Sequence, residues 1–295
     1  MINIINLITS LDNKHDEIPR VNDKFIHVSA LAKFCARRHK LSLNQDEPII
    51  SSFFTNSATK IMFHVGRSLE VYFRENFLKI YPITKVLGFW RLNGQEPDNP
   101  DMLITTYGNK KLDPEDYMEF RLGKETDTLD NFREIEVIDK SNRVIGHIDW
   151  VYLDKNGKLT VLDTKTKSKD KFDELKKRNA PCWEYCIQVC AYIRMLSRDK
   201  RIKAMGLTVN KEAKLFYMCR EIRNKNNIPD KQEKGSKVYM ELTVKYGRYK
   251  EDLLELLAEA KKAIKEKELP AREKCKTLNC SSAKECPYVA RCFNV

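Results

Sequence analysis

No run of eighteen apolar residues occurs in the 295-residue chain, so no segment reads as a membrane-spanning helix. Glycine and proline are scarce, ten of each, and no Gly/Ser-rich or Pro-rich linker breaks the sequence. One compact domain over residues 1–295 is therefore expected. No internal repeat is found. The opening stretch Met1-Ile2-Asn3-Ile4-Ile5-Asn6-Leu7-Ile8 has no basic leader, so a cytoplasmic, non-secreted protein of bacterial or viral origin is expected. Nine cysteines in such a chain do not read as disulfides; clustered thiols in a reducing compartment more often hold metal.

Positive charge is in excess. The formal net charge is +12 and the pI about 9.1, which points to a polyanionic partner. The excess is uneven: Lys158 to Lys203 holds thirteen Lys/Arg against six Asp/Glu, a net of +7. Lys167, Lys169, Lys171, Lys176, Lys177 and Arg178 could track phosphates there.

Within that segment lies the most informative pattern. The β-prone run Val144–Leu153 contains Gly146-His147-Ile148-Asp149, and the run Leu159–Lys165 ends in Asp163-Thr164-Lys165. Asp154-Lys155-Asn156-Gly157-Lys158 between them is a turn signal, so a β-hairpin is predicted. Period-two alternation puts Asp163 and Lys165 on one face. A two-residue Asn156-Gly157 turn would oppose Asp149 to Thr164. A three-residue Lys155-Asn156-Gly157 turn, with glycine in the left-handed region, opposes Asp149 to Asp163 instead, and this register is predicted. Two carboxylates about 4 Å apart repel by roughly 4 kcal/mol at an effective dielectric near 20. A cation relieves that repulsion, and hard oxygen ligands suit Mg²⁺ or Mn²⁺.

Two helical patterns flank the hairpin. Residues 181–197 read as a helix with Gln188 and Tyr192 four apart on one face. Residues 57–78 read as a helix carrying Gly66 and, four later, Glu70. In that order, Gly66-x-x-x-Glu70, Gly146-x-x-Asp149, Asp163-x-Lys165 and Gln188-x-x-x-Tyr192 resemble the PD-(D/E)XK nuclease superfamily, most of all its RecB-like exonuclease branch. The resemblance implies metal ligands at Glu70, Asp149 and Asp163, a catalytic lysine at Lys165, and a glutamine–tyrosine motif at Gln188 and Tyr192. Many members place a histidine where Glu70 stands; His64 lies six residues too early for that position.

Four cysteines, Cys275, Cys280, Cys286 and Cys292, crowd a polar tail too short to bury a core of its own, so a thiolate-bound metal is expected to order it. The layout is similar to AddB-type nucleases and the iron–sulfur exonuclease of CRISPR adaptation, which flank the nuclease core with one N-terminal and three C-terminal cysteines. The resemblance implies a [4Fe–4S] cluster on Cys35, Cys280, Cys286 and Cys292, with Cys275 a rival ligand. Zn²⁺ on the four C-terminal cysteines is the alternative, because four thiolates suit either. Cys182, Cys186 and Cys190 repeat every four residues and read as buried packing, and Cys219 as core strand.

The expected fold is α/β: a restriction-endonuclease-like mixed central sheet flanked by helices, with a helical, cysteine-rich iron–sulfur module joining the two chain ends. The core is expected over about 57–220, the module over 28–42 and 268–295, and an insertion at 93–117. Further elements expected are a helix at 28–42, strands at 133–138, 203–210 and 214–220, and an amphipathic helix at 249–268 with Leu253, Leu256, Leu257, Ala260 and Ile264 inward. The expected activity is metal-dependent hydrolysis of DNA, most simply by an exonuclease acting on single-stranded or end-resected DNA. Two alternatives stand beside it: a non-catalytic, zinc-stabilised nucleic-acid-binding module, and a subunit active only within a recombination or DNA-capture complex.

Overall fold

The structure is a computed structural model. It describes residues 25–43, 68–69, 72–73, 76, 82–91, 118–128, 132–220, 239–266, 268–272, 274–278, 280, 286 and 288–293. The 93–117 excursion, Gly66 and Glu70 lie outside the described residues, as does most of the 57–78 helix.

A mixed sheet organises the chain. Its order is β11 (Tyr239–Lys245), β10 (Glu212–Cys219), β8 (Lys158–Lys167), β7 (Trp150–Leu153), β2 (Val86–Arg91) and β3 (Met118–Leu122). A short β4 (Phe132–Arg133) pairs with β2, and β9 (Thr208–Val209) with β8. Strand β8 is the axis: it runs antiparallel to β7 and parallel to β10. Leu159 through Thr164 are all buried, the near-continuous apolar run expected of a strand covered on both faces. A second, three-stranded sheet has the order β1 (Ile26–His27), β6 (Val144–Ile148) and β5 (Ile135–Asp139).

The two sheets exchange strands at two single residues. Glu134 separates β4 of the large sheet from β5 of the small one, and Asp149 separates β6 of the small sheet from β7 of the large one. The sequence reads residues 133–138 and 144–153 as unbroken strands; the structure breaks each at its carboxylate.

Helix α4 (Trp183–Leu196) is buried nearly all round from Cys186 onward, so it runs through the core rather than over it. It packs against α1 (Val28–Leu31), against β8 and β10, and against α6 (Tyr246–Lys265). Helix α6 turns Leu253, Leu256, Leu257, Ala260 and Ala263 inward, while Ile264 is only partly covered. The opposite face of the large sheet carries an aromatic layer in which Trp150 stacks on Phe132 at 5.4 Å and Phe73 packs against Phe216. Further helices among the described residues are α2 (Ala36–Leu43), α3 (Lys169–Arg178), α5 (Lys200–Ala204) and α7 (Val289–Phe293).

Two expectations need correction. The 28–42 helix is two helices, because the chain leaves helical geometry between Leu31 and Ala36, at Cys35. The 203–210 strand begins as α5: Asp199 accepts a hydrogen bond from the Arg201 amide and so caps a helix start. Cys186, Cys190 and Cys219 are buried as expected, and burial pushes the Cys190 thiol up to about 12. Cys182 instead sits half-buried at the start of α4.

The hairpin turn has three residues. The Asp154 amide donates to the Lys158 carbonyl, the Gly157 amide donates to the Asp154 carbonyl, and Gly157 has φ +71°. A Cβ at Gly157 would touch nothing within 4 Å, so replacing it costs only backbone strain. Gly157→Val is expected to lower stability by about 1–2 kcal/mol, read as an earlier midpoint in urea denaturation at unchanged m-value.

Candidate active site

The three-residue turn sets the register of the two strands it joins. Strand β7 pairs with β8 as Trp150↔Leu162 through Leu153↔Leu159. One step further along this register stands Asp149 opposite Asp163. Alternation then puts Val161, Asp163 and Lys165 toward α4, and Leu162 and Thr164 toward the aromatic layer.

Asp149 lies where the backbone leaves β8 for the other sheet, which deprives the β8 edge of its next ladder partner. The Asp149 side chain takes that place: one of its oxygens accepts hydrogen bonds from the Thr164 amide and hydroxyl, both at 2.9 Å. The carboxylate is thereby held at the crossing between the sheets.

Asp163 is 0 % exposed. Its Oδ2 lies 2.7 Å from Lys165 Nζ, and its Oδ1 accepts a 3.3 Å hydrogen bond from Gln188 Nε2. Gln188 Nε2 also donates to the Tyr192 hydroxyl at 3.0 Å. Burial presses the Lys165 ammonium down, but the charges of Asp163 and Asp149 and the Asp163 hydrogen bond outweigh it and raise its pKa above the ordinary lysine value. Both carboxylates therefore act on one ammonium. Burial also pushes the Tyr192 hydroxyl up, and the charges of Asp163, Asp149 and Glu134 push the same way. Tyr192 consequently stays a neutral hydroxyl beside the buried aspartate.

The structure thus brings Asp149, Asp163, Lys165, Gln188 and Tyr192 into one network and leaves Glu70 outside the described residues. Two carboxylates against a single lysine leave this pocket short of positive charge, and their hard oxygens suit a divalent cation. Among the described residues, no three Cys, His, Asp or Glu side chains converge into a group that would hold a metal unaided. A further oxygen ligand is needed, from Glu70 or from a substrate phosphate.

Three residues that sequence reasoning passed over also belong to this region. Continuing the β5–β6 register by one step from Ile135↔Ile148 sets Glu134 opposite Asp149. Thr164 anchors Asp149. Tyr185, three residues before Gln188 on α4, lies with its ring 5.2 Å from Lys165 Nζ. Only Tyr185 had a readable signal, since it shares the face of Gln188 at i, i+3.

Away from this network in the sequence, Cys35, Cys275, Cys280, Cys286 and Cys292 are all half-buried. Burial raises the Cys275 pKa, and so do a hydrogen bond with Cys280 and the charges of Cys280, Cys35 and Cys286; among the described residues these thiols do not converge into a metal-holding group. Cys292 lies on α7, where its carbonyl accepts a 3.3 Å hydrogen bond from Arg37 of α2.

Residues 95–293 match the family model of the PD-(D/E)XK nuclease superfamily. The chain belongs to this superfamily. Membership accords with the mixed sheet flanked by helices; it implies nuclease chemistry on DNA, for which these enzymes typically use Mg²⁺ or Mn²⁺. No curated protein matches the chain significantly. The solved structures similar to it include the crystal structure of SSO0001, with a TM-score of 0.38 and 15 % identity over 98 % of this chain and 95 % of that one. No helix among the described residues is long and apolar enough to cross a membrane.

The glycine of the Gly146-x-x-Asp149 motif has a packing reason. A Cβ there would lie 2.6 Å from Tyr192 Cε1 and 2.9 Å from Val28 Cγ2. Gly146→Ala must displace Tyr192 or Val28 and is expected to cost about 1–3 kcal/mol, measured by equilibrium denaturation. Gly146→Ala with Tyr192→Phe should recover little, because the clash is with the ring.

Proposed function

We propose that the protein is a Mg²⁺- or Mn²⁺-dependent DNA exonuclease of the RecB/AddB-like branch, cleaving single-stranded or end-resected DNA. The observation that carries this reading is the buried Asp163, register-opposed to Asp149 and ion-paired to Lys165. Glu70, Asp149 and Asp163 would hold the cation, which when bound supplies an acidified water and charge stabilisation at the scissile phosphate. Lys165 carries a fixed positive charge that orients the attacking water and offsets negative charge growing on the phosphate. Gln188 holds Asp163 in place and is itself held by the neutral Tyr192 hydroxyl. Thr164 fixes Asp149, so both carboxylates are positioned before substrate arrives.

Nuclease assays with Mn²⁺ on single-stranded and duplex DNA test this directly. Asp163→Ala and Lys165→Ala should each lower the rate by about 10²–10³-fold, and chelation should abolish it. Equal activity of wild type and both variants would refute the assignment. Despite burial, the charges of Asp163 and Asp149 raise the Lys165 pKa above the ordinary lysine value, so the side chain is an ammonium in the metal-free protein.

We further infer a [4Fe–4S] cluster that ties residues 28–42 to 268–295, bound by Cys35, Cys280, Cys286 and one further thiol. The family layout suggests Cys292 as the fourth ligand, whereas the hydrogen bond between Cys275 and Cys280 favours Cys275. Anaerobically purified protein should be brown and contain iron. Cys275→Ser and Cys292→Ser then decide the fourth ligand by which of them loses iron. A colourless preparation containing only zinc would overturn the cluster.

A further inference from the structure

One lysine beside the site is immobilised without being neutralised. Along the α4-facing side of β8, Asp163 is fully buried, the Lys165 side chain is 19 % exposed, and Lys167 is half-buried. The strand thus climbs from the core to the rim in steps of two residues. Helix α4 runs alongside it: Gln188 covers Asp163, and Tyr185, about one turn nearer the helix start, covers the two lysines. Lys167 Nζ lies 4.4 Å from the Tyr185 ring centroid and donates a 2.8 Å hydrogen bond to its hydroxyl. Tyr185 in turn packs against the buried Tyr217 of β10, with ring centroids 6.3 Å apart.

Some lysines of the fold meet carboxylates. Lys169 pairs with Asp173, Lys214 with Glu241 and Lys262 with Glu266. Among the described residues no carboxylate pairs with Lys167; its partners are a π face and a hydroxyl oxygen. An ammonium has three donors, so a single hydroxyl leaves it able to bind an anion. Its rotamer freedom is already restricted, which lowers the entropic cost of doing so. A strand advances about 6.6 Å over two residues, a distance on the scale of one nucleotide step. A phosphate at Lys165 would then leave its neighbour near Lys167.

We propose that Lys167, fixed by Tyr185, binds the phosphate adjacent to the scissile one and so sets the path of the DNA strand along β8 onto α3. This deepens the nuclease reading and rests on it. The test uses the full chain in EDTA, so that binding is measured without cleavage, with a fluorescein-labelled single-stranded oligonucleotide followed by anisotropy across a salt series. Lys167→Ala should weaken binding about tenfold at low salt and reduce the slope of log K against log salt by about 0.7, the value for one phosphate on a single strand. Lys167→Arg should restore both, and Tyr185→Leu, which leaves the charge but removes its support, should weaken binding less and keep the slope. An unchanged slope in Lys167→Ala, absence of rescue by arginine, or a wild type that does not bind would overturn the proposal. If wild type binds with these salt slopes yet cleaves nothing with Mn²⁺, the nuclease reading fails while the phosphate contact stands.

Discussion

A helix buried on every side must satisfy its polar groups from within the core, and α4 lives under that constraint. Between Cys186 and Leu196 its polar side chains include Gln188 and Tyr192, both buried. Leaving either amide or hydroxyl unpaired there would cost about 1–3 kcal/mol. They pair with each other and with Asp163, which itself could not remain charged in the core without Lys165. The same helix is what Gly146 makes room for and what α6 and α1 enclose. The polar network at the candidate site and the packing of the core are therefore one set of interactions.

The position of this network follows from topology. Two chain segments pass from one sheet to the other, at Glu134 and at Asp149. The crossing at Asp149 interrupts the β7–β8 ladder just where the α4-facing side of β8 turns from apolar to charged, from Val161 to Asp163 and Lys165. A carboxylate at the crossing both replaces the lost ladder partner and adds negative charge beside the buried pair. Asp149 does the first through Thr164, and its effect on Lys165 shows the second.

How much of this was legible in the sequence depended on how local each signal was. The hairpin register was readable because Gly157 needs a left-handed backbone and period-two alternation leaves only two choices. The Gln188 and Tyr192 pair was readable from helical spacing. The break at Asp149 was hidden, since it lies in an apolar run that continues on both sides, and that at Glu134 because the mixed apolar and polar run Phe132-Arg133-Glu134-Ile135-Glu136 reads straight through it; only sheet exchange interrupts either. Strand β11 does carry a period-two signal, Met240, Leu242 and Val244 alternating with Glu241, Thr243 and Lys245, which the sequence reading passes over; β2, Val86–Arg91, is short and buried throughout but for its last residue, so periodicity does not mark it. The start of α5 was misread because the Asp199 cap was outweighed by the apolar residues after it. Thr164 acquires its partner Asp149 only through tertiary contact, so no spacing rule singles it out.

Helix α2, near the beginning of the chain, is held by groups near its end. Arg37 donates to the carbonyls of Pro270 and Cys292, and Lys40 to that of Glu266, across sequence separations of 226 to 255 residues. A nascent chain offers α2 none of these partners until at least 226 further residues follow it, so α2 docks through loop closure over that length. Strand β1 finds its partner much earlier, at Val144 and Ile145 of β6. Two neighbouring early elements are therefore secured at different stages of synthesis, one by the sheet and one by the last described segments.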